Sequence, residues 1–357
     1  MKKSIICVIS FIILATFSAC SMSEEIGKTT EDENNIEFLM QDTQESTEAQ
    51  SDYLKYFGSP MKFNEILFED DLSMFGESFS LDSEMGEDDS ITWKGDKEGH
   101  IYAEPGYFAY SSDQYCNNYD YLFWDDYGEF REDFGKITEN VSEVYGITQE
   151  KAIKKVKQIV DKYKISVSNI VAYPLDKDVL EKLSKDYMSD EEFKKDENKL
   201  KRNFDKDDEV YLVMMEPTIG EYSLYNMEYN YGKRAYSGSK IWSLVNKDNI
   251  IYFSASGIYK EKNESETINS ILSDKEAYAS LENKYKDYFL ADKIICNQCN
   301  IKYVAICTDG KDNFEFVPTY VFEVKYPFEI DKNGVKEDLE YETVRLLLDA
   351  ETGEWIE

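Results

Sequence analysis

Apolar and polar positions change rhythm several times along the chain, and each change marks an expected element. From Ile5 to Phe17 nearly every residue is apolar. From Ser21 to about Ser51, Glu, Asp, Thr, Ser, Gln and Asn dominate, broken only by Ile26 and the Ile36–Met40 cluster. Such a segment buries too little apolar surface to offset its conformational entropy, so 20–52 reads as a disordered acidic tether. Between 53 and 146 there is no long helical period. Short runs at Glu65–Phe68, Ile91–Lys94, His100–Ala103 and Tyr107–Tyr110 are separated by turn clusters such as Gly86-Glu87-Asp88-Asp89 and Gly95-Asp96. That pattern predicts a β-rich region.

At Ile147 the period becomes helical. Thr148 is placed to cap, and Ala152, Ile153, Val156, Ile159, Val160 and Tyr163 fall on one face, with Lys151, Lys154, Lys155 and Lys157 mostly on the other. A second helix starts at Ser273, where Glu276 completes a capping box. With the first helix moved by 125 residues, Ala152 falls on Ala277, Val156 on Leu281, Val160 on Tyr285 and Tyr163 on Tyr288, which reads as an internal repeat. Strand-like runs follow each helix. After the first come Ile170–Leu175, a charged helical insertion over about 177–203, Glu209–Glu216, Lys240–Val245, Ile250–Ser254 and Gly257–Lys260. After the second come Ile301–Thr308, Phe314–Tyr326, Val344–Asp349 and Trp355–Ile356, with hairpin turns expected at Asp309-Gly310 and Asn333-Gly334. Tyr320, Phe322, Val324 and Tyr326 alternate with Val321, Glu323 and Lys325, the mark of a strand with one buried face. The expected fold is α+β: a β-rich N-terminal region over 53–146, then two helix-plus-antiparallel-sheet units over 147–262 and 263–357.

The start of the chain decides where the rest would work. Lys2 and Lys3 precede the apolar run, which ends in Phe17-Ser18-Ala19-Cys20. Positive start, short apolar stretch and small residues at the cut are the layout of a secretory signal over 1–19. The run is short for a membrane span, which needs about 20 apolar residues. Cys20 directly after Ser-Ala resembles the lipobox of bacterial lipoproteins, except that Phe17 stands where Leu is preferred. The resemblance implies a diacylglycerol thioether on Cys20, and a protein held on the outer face of the cell membrane. An ordinary cleaved signal and an uncleaved anchor are the plainer alternatives. The Lys-, Ile-, Asn- and Tyr-rich composition suggests a low-GC bacterium with a single membrane.

A net charge of −33 argues against nucleic acid, whose binding rests on Lys and Arg at phosphates, and against adhesion to anionic lipid. Beyond Cys7 and Cys20 the cysteines are Cys116, Cys296, Cys299 and Cys307. Four cysteines allow three complete pairings, and sequence does not choose among them. Cys296-Asn297-Gln298-Cys299 is a CxxC, but it follows a helix rather than opening one, the wrong context for a thiol with a depressed pKa. A zinc site with four thiolate ligands would need every one of these cysteines, so disulfides or free thiols are the plainer reading and no metal or other cofactor is expected. His100 is the only histidine, and the chain has no HExxH, no GxSxG and no Walker loop. With 73 acidic residues, carboxylate pairs carry no signal, and Asp331-Lys332-Asn333-Gly334 has its Gly too early for a calcium loop. The aromatic stretch from Tyr107 to Phe130 has two readings: strands with aromatic cores, or a stacking platform for sugar rings using Tyr119, Tyr121 and Trp124.

The two ends of the repeated unit carry a further resemblance. Ile147-Thr148-Gln149-Glu150-Lys151-Ala152-Ile153 is similar to the opening of a PepSY domain, and Leu346-Leu347-Leu348-Asp349-Ala350-Glu351-Thr352-Gly353-Glu354-Trp355-Ile356 to its close. Ile251–Tyr259 resembles a degraded copy of that close. The resemblance implies an exported module without catalytic residues that binds or restrains other proteins, such as a peptidase, a wall hydrolase or a membrane sensor. A glycan-binding or glycan-cleaving surface lipoprotein is the alternative expectation.

Overall fold

The computed structural model describes residues 36–38, 53–67, 72–85, 89–124, 130–131, 133–189, 203–288, 292–308, 312–332 and 335–356. Residues from Asn35 onward form one compact unit. Cys20, the Asp309-Gly310 and Asn333-Gly334 turns, most of Gly86–Asp89 and the end of the charged insertion lie outside the described residues.

Two antiparallel sheets organise the chain. With strands numbered along the sequence, the first sheet runs β3 (Phe79–Met85), β4 (Ser90–Gly95), β5 (His100–Glu104), β6 (Tyr107–Ser111), β13 (Ile250–Ser256), β12 (Lys240–Val245), β8 (Val210–Ile219) and β7 (Val167–Leu175), with β9 (Tyr222–Ser223) turned back on β8. The second runs β1 (Ile36–Phe38), β15 (Ile294–Cys307), β16 (Phe314–Lys332), β17 (Val335–Asp349) and β18 (Trp355–Ile356), and β16 also pairs with β2 (Leu54–Pro60), which pairs with β14 (Tyr259–Thr267). A small hairpin, β10 (Tyr229–Tyr231) with β11 (Arg234–Tyr236), lies between these in sequence.

The expected α+β organisation is therefore overturned. Strand accounts for 49% of the described residues against 24% helix, and the two helix-plus-sheet units do not exist as self-contained bodies. The reason is pairing across the expected boundaries. β6 of the N-terminal region joins β13 of the first unit through Phe108–Ala255 to Ser111–Tyr252, making one continuous sheet. β2 joins β14 and β16, so the second sheet also recruits from both sides of its expected limits. In the run expected to be a strand from Glu65, Glu65 and Ile66 instead belong to a short helical turn, Phe63–Ile66, and Phe68 lies outside the described residues.

Both helices read from the 3.6-residue period form. In α1 (Gln149–Lys162) the Thr148 hydroxyl accepts from the Lys151 N–H at 3.4 Å, and Ala152, Val156, Ile159 and Val160 are buried. Each fully buried aliphatic side chain of that face contributes about 1.5–3 kcal/mol. They pack on one face of the first sheet with Phe63, Phe75, Phe108, Tyr163 and Phe253. The other face is covered by Tyr115, Tyr119, Tyr121, Leu122, Phe123, Phe130 and Phe134 and by α2 (Lys177–Ser189), through Leu180 and Leu183. Because both faces are covered, β8 carries the nearly continuous apolar run Val210–Met215.

In the second sheet, α3 (Asp274–Tyr285) starts at the Ser273–Glu276 capping box and packs Ala277, Leu281 and Tyr285 against Tyr320, Phe322 and Val324. Tyr225, Tyr229 and Tyr236 of the β10–β11 region cover the opposite face at Val304, Val317 and Leu347. The sheets meet at a tyrosine seam. Tyr303 of β15 lies against Tyr222 (4.9 Å between ring centres) and Tyr56 (5.6 Å), and donates its hydroxyl to the Leu54 carbonyl at 2.8 Å. Lys302 pairs with Glu216 at 3.1 Å beside it. Gly257 makes the corner at which β13 leaves one sheet and β14 enters the other; its φ of +58° and the Gly238 carbonyl 2.9 Å from a Cβ position both require glycine there.

Candidate functional site

The chemistry-bearing residues of the second sheet converge on the edge of β15. β15 bulges between Cys296 and Gln298: Cys296 opposes Val324, Gln298 opposes Glu323 and Cys299 opposes Phe322. In a regular strand residues three apart face opposite ways; the extra residue, Asn297, returns Cys299 to the face of Cys296. Both thiols thus join the apolar cluster beneath α3. Burial pushes the Cys296 thiol up to about 11, and its S–H points at the Gln298 carbonyl, 3.8 Å away. Cys299 is raised further, first by burial and then by neighbouring Cys296, although Tyr278 donates a hydrogen bond to its sulfur.

The four cysteines do not assemble. Cys307 stands at the far end of β15, roughly 30 Å along the strand from Cys296. There it accepts from the Arg234 guanidinium at 3.6 Å. Cys116 lies on the Asp113–Asn118 turn over the first sheet. Cys116, Cys296 and Cys299 are free thiols, and among the described residues no three His, Cys, Asp or Glu side chains are grouped to hold a metal ion. Partial burial of its sulfur, then the Asp120 and Asp113 carboxylates, raise the Cys116 thiol to about 11. Alkylation of Cys116 by iodoacetamide is therefore expected to keep accelerating about tenfold per pH unit from pH 8 to pH 10, where an ordinary thiol with a pKa near 8.5 levels off. A plateau by pH 9 in peptide-resolved rates would contradict this.

The edge of β15 also holds a strand from the segment expected to be a featureless tether. Ile36, Glu37 and Phe38 pair in parallel with Ile294, Ile295 and Cys296, while every other described strand pair is antiparallel. Ile36 is 5% exposed and joins the cluster that Ala277, Leu281 and Tyr285 form with Ile294 and Cys296. Phe38 meets Tyr278 edge-on, with ring centres 5.2 Å apart. An edge strand and a helix thus enclose a groove, and the arm lays alternate side chains into it. Burying Ile36 and Phe38 gains about 1.5–3 kcal/mol each, and ordering three residues costs about 1–2 kcal/mol each, so docking sits near balance. The tether reading missed this strand; its signal was the apolar alternation of Ile36 and Phe38 inside an acidic segment.

The aromatic stretch resolves toward the core, correcting the stacking-platform reading. Tyr119 is fully buried and donates its hydroxyl to the Asp208 carbonyl at 2.7 Å; Tyr121 is buried beside Ser184. Both belong to the cluster between the first sheet and α2 and present no ring face to solvent. Trp124 is half-buried, edge-on to Phe130 at 6.0 Å. His100 begins β5 and is exposed. A cavity of about 390 Å³ lies between α1 and the Asp248–Ile250 turn and is lined by Lys155, Gln158, Lys162 and Ser73 among others. There the Lys155 amine donates to the Asp248 carbonyl at 2.7 Å, and burial lowers its pKa.

No family model and no curated protein matches the chain. Among solved structures, an uncharacterized protein from Eubacterium rectale is similar over 85% of this chain and 86% of its own, with a TM-score of 0.62 at 14% sequence identity. The likeness establishes a shared fold and no activity.

Proposed function

We propose that this chain is a non-enzymatic protein, lipid-anchored on the outer face of the cell membrane, that binds another envelope protein and adjusts its activity. Three features support the reading. The leader ends in Ser18-Ala19-Cys20, so a lipid on Cys20 would carry the protein to a membrane without basic residues. A charge of −33 disfavours nucleic acid as the partner. The observation that carries the reading is the docking of Ile36–Phe38 in the groove between α3 and the β15 edge. Main-chain pairing with side chains in alternate pockets is a mode by which proteins recognise extended protein segments.

Two measurements test it. In the cell of origin, fatty-acid labelling and membrane recovery are expected for the native chain and absent after Cys20→Ala; label that persists in the variant removes the anchor. Crosslinking on intact cells followed by mass spectrometry is expected to enrich one membrane or secreted protein over a lipidated control protein. Capture of wall glycan alone would overturn the protein-binding reading.

A further inference from the structure

The arm does more than connect. We propose that the groove between α3 and the β15 edge is a strand-exchange site. It takes an extended segment of the partner protein bearing two large apolar residues two positions apart, and Ile36–Phe38 is its built-in competitor. The inference rests on the protein-binding reading and specifies how the partner is held.

Four observations point to it. First, among the described residues the docked strand pairs three positions of a strand of fourteen, at one end of its edge. Second, the next backbone partner on that edge is Leu224, bridged to Tyr303; among the described residues, positions 297–302 between these contacts have none on that side. Among the described residues, the N–H and C=O groups there are open to an incoming strand longer than Ile36–Phe38. Third, the pairing is parallel, whereas every other described pair of named strands is antiparallel, and parallel is the slightly weaker arrangement per residue. Fourth, the pockets are chemically defined: Ile36 sits among Ala277, Leu281, Ile294 and Cys296, and Phe38 lies against Tyr278. A β-branched or aliphatic residue followed two places on by an aromatic one fits them.

Charge sets a second requirement. In sequence the native strand follows Glu31, Asp32 and Glu33, and the body that receives it belongs to a strongly acidic chain. On a chain of net charge −33, a competing segment with neutral or basic flanks has an electrostatic advantage over one with acidic flanks. Because the arm is covalently attached, its effective concentration is high, and the partner displaces it only when its own segment binds better. The groove is then closed at rest and opened by competition.

The test uses the full chain, a fluorescein-labelled peptide of residues 34–41, and a control peptide in which the positions of Ile36 and Phe38 are Ser. Anisotropy titration is expected to show at least tenfold tighter binding to the Ile36→Ser/Phe38→Ser chain than to the native chain, and no binding of the control peptide to either. Hydrogen exchange at Ile294–Gln298 should speed up in that variant and slow again with peptide. The Glu37→Pro chain keeps both apolar side chains but puts a proline, with its fixed φ, into the docked strand; it opens the groove independently and must show the same tightening. Equal affinity for native and opened chains, or no binding to opened chains whose circular dichroism matches the native protein, overturns the proposal. A crosslinked partner found alongside that second result would leave the protein-binding reading standing and remove only the groove.

Discussion

Glu77→Ala is expected to lower the stability of the first sheet by about 4 kcal/mol, read as a fall in the urea midpoint. The carboxylate is 8% exposed and lies inside the turn joining β4 to β5. One of its oxygens accepts from the backbone N–H groups of Lys97 and Gly99, both at 3.1 Å; the other accepts from the Tyr110 hydroxyl at 2.9 Å. Hydrogen bonds to a charged acceptor are worth about 1.5–3 kcal/mol each, and orphaned buried donors cost about 1–3 kcal/mol. The variant loses three such bonds, with relaxation and water recovering part of the loss. The turn is shaped to the carboxylate: a Cβ on Gly95 or Gly99 would come within 1.9 or 2.0 Å of its oxygens, so Gly99→Ala should destabilise comparably. Glu98→Ala is the control, since its pair with Lys94 at 3.1 Å is exposed and such pairs contribute little. Similar midpoints for Glu77→Ala and Glu98→Ala would show the buried network to be unimportant.

Tyr303→Ala should have a comparable effect of a different kind, about 4 kcal/mol with a loss of cooperativity. Tyr303 is fully buried in the seam, where Tyr56 and Tyr222 pack on it and the Tyr225 N–H donates to its carbonyl at 2.8 Å. Truncating a buried aromatic removes contact surface and leaves a cavity, about 3–5 kcal/mol in total. Here the cavity opens between the sheets, so they should unfold at separate denaturant concentrations. Trp355 is the only tryptophan on the second sheet, and its signal, obtained by difference from a Trp355→Phe chain, should part from that of Trp93 and Trp242. Coincident transitions in the variant would refute the coupling. Tyr303→Phe, which loses only the bond to Leu54, should cost about 1 kcal/mol.

Local structure was legible wherever a single element satisfied its own pattern. The Thr148 cap, the Ser273–Glu276 box and the buried face of Tyr320, Phe322 and Val324 follow from periods of 3.6 and 2 and from capping chemistry. What failed was the step from elements to architecture. Nothing in Phe108 or Ala109 announces that their partners are Ala255 and Ser254, because an antiparallel partner is chosen by the whole sheet and not by the strand. The helical repeat therefore suggested two separate units when the strands were shared. The candidate site was hidden for two reasons. A bulge, which puts Cys296 and Cys299 on one face, has no sequence period of its own. Ile36 and Phe38 read as noise in a polar segment until the groove that receives them is seen. Tyr119 and Tyr121 could have served core or surface, and burial against α2 decided for the core.

The distant pairings also impose a schedule on synthesis. The β3–β6 meander can form early, but its β6 edge waits for β13, which is made about 140 residues later. β2 waits longer still, for β14 and then for β16. At roughly 5–20 residues per second that is a delay of several to tens of seconds, during which no native sheet can be completed. Non-local strand pairing of this kind is slow to complete. If the chain is exported as proposed above, the late arrival of its closing strands would serve as a timing device for passage through a narrow pore.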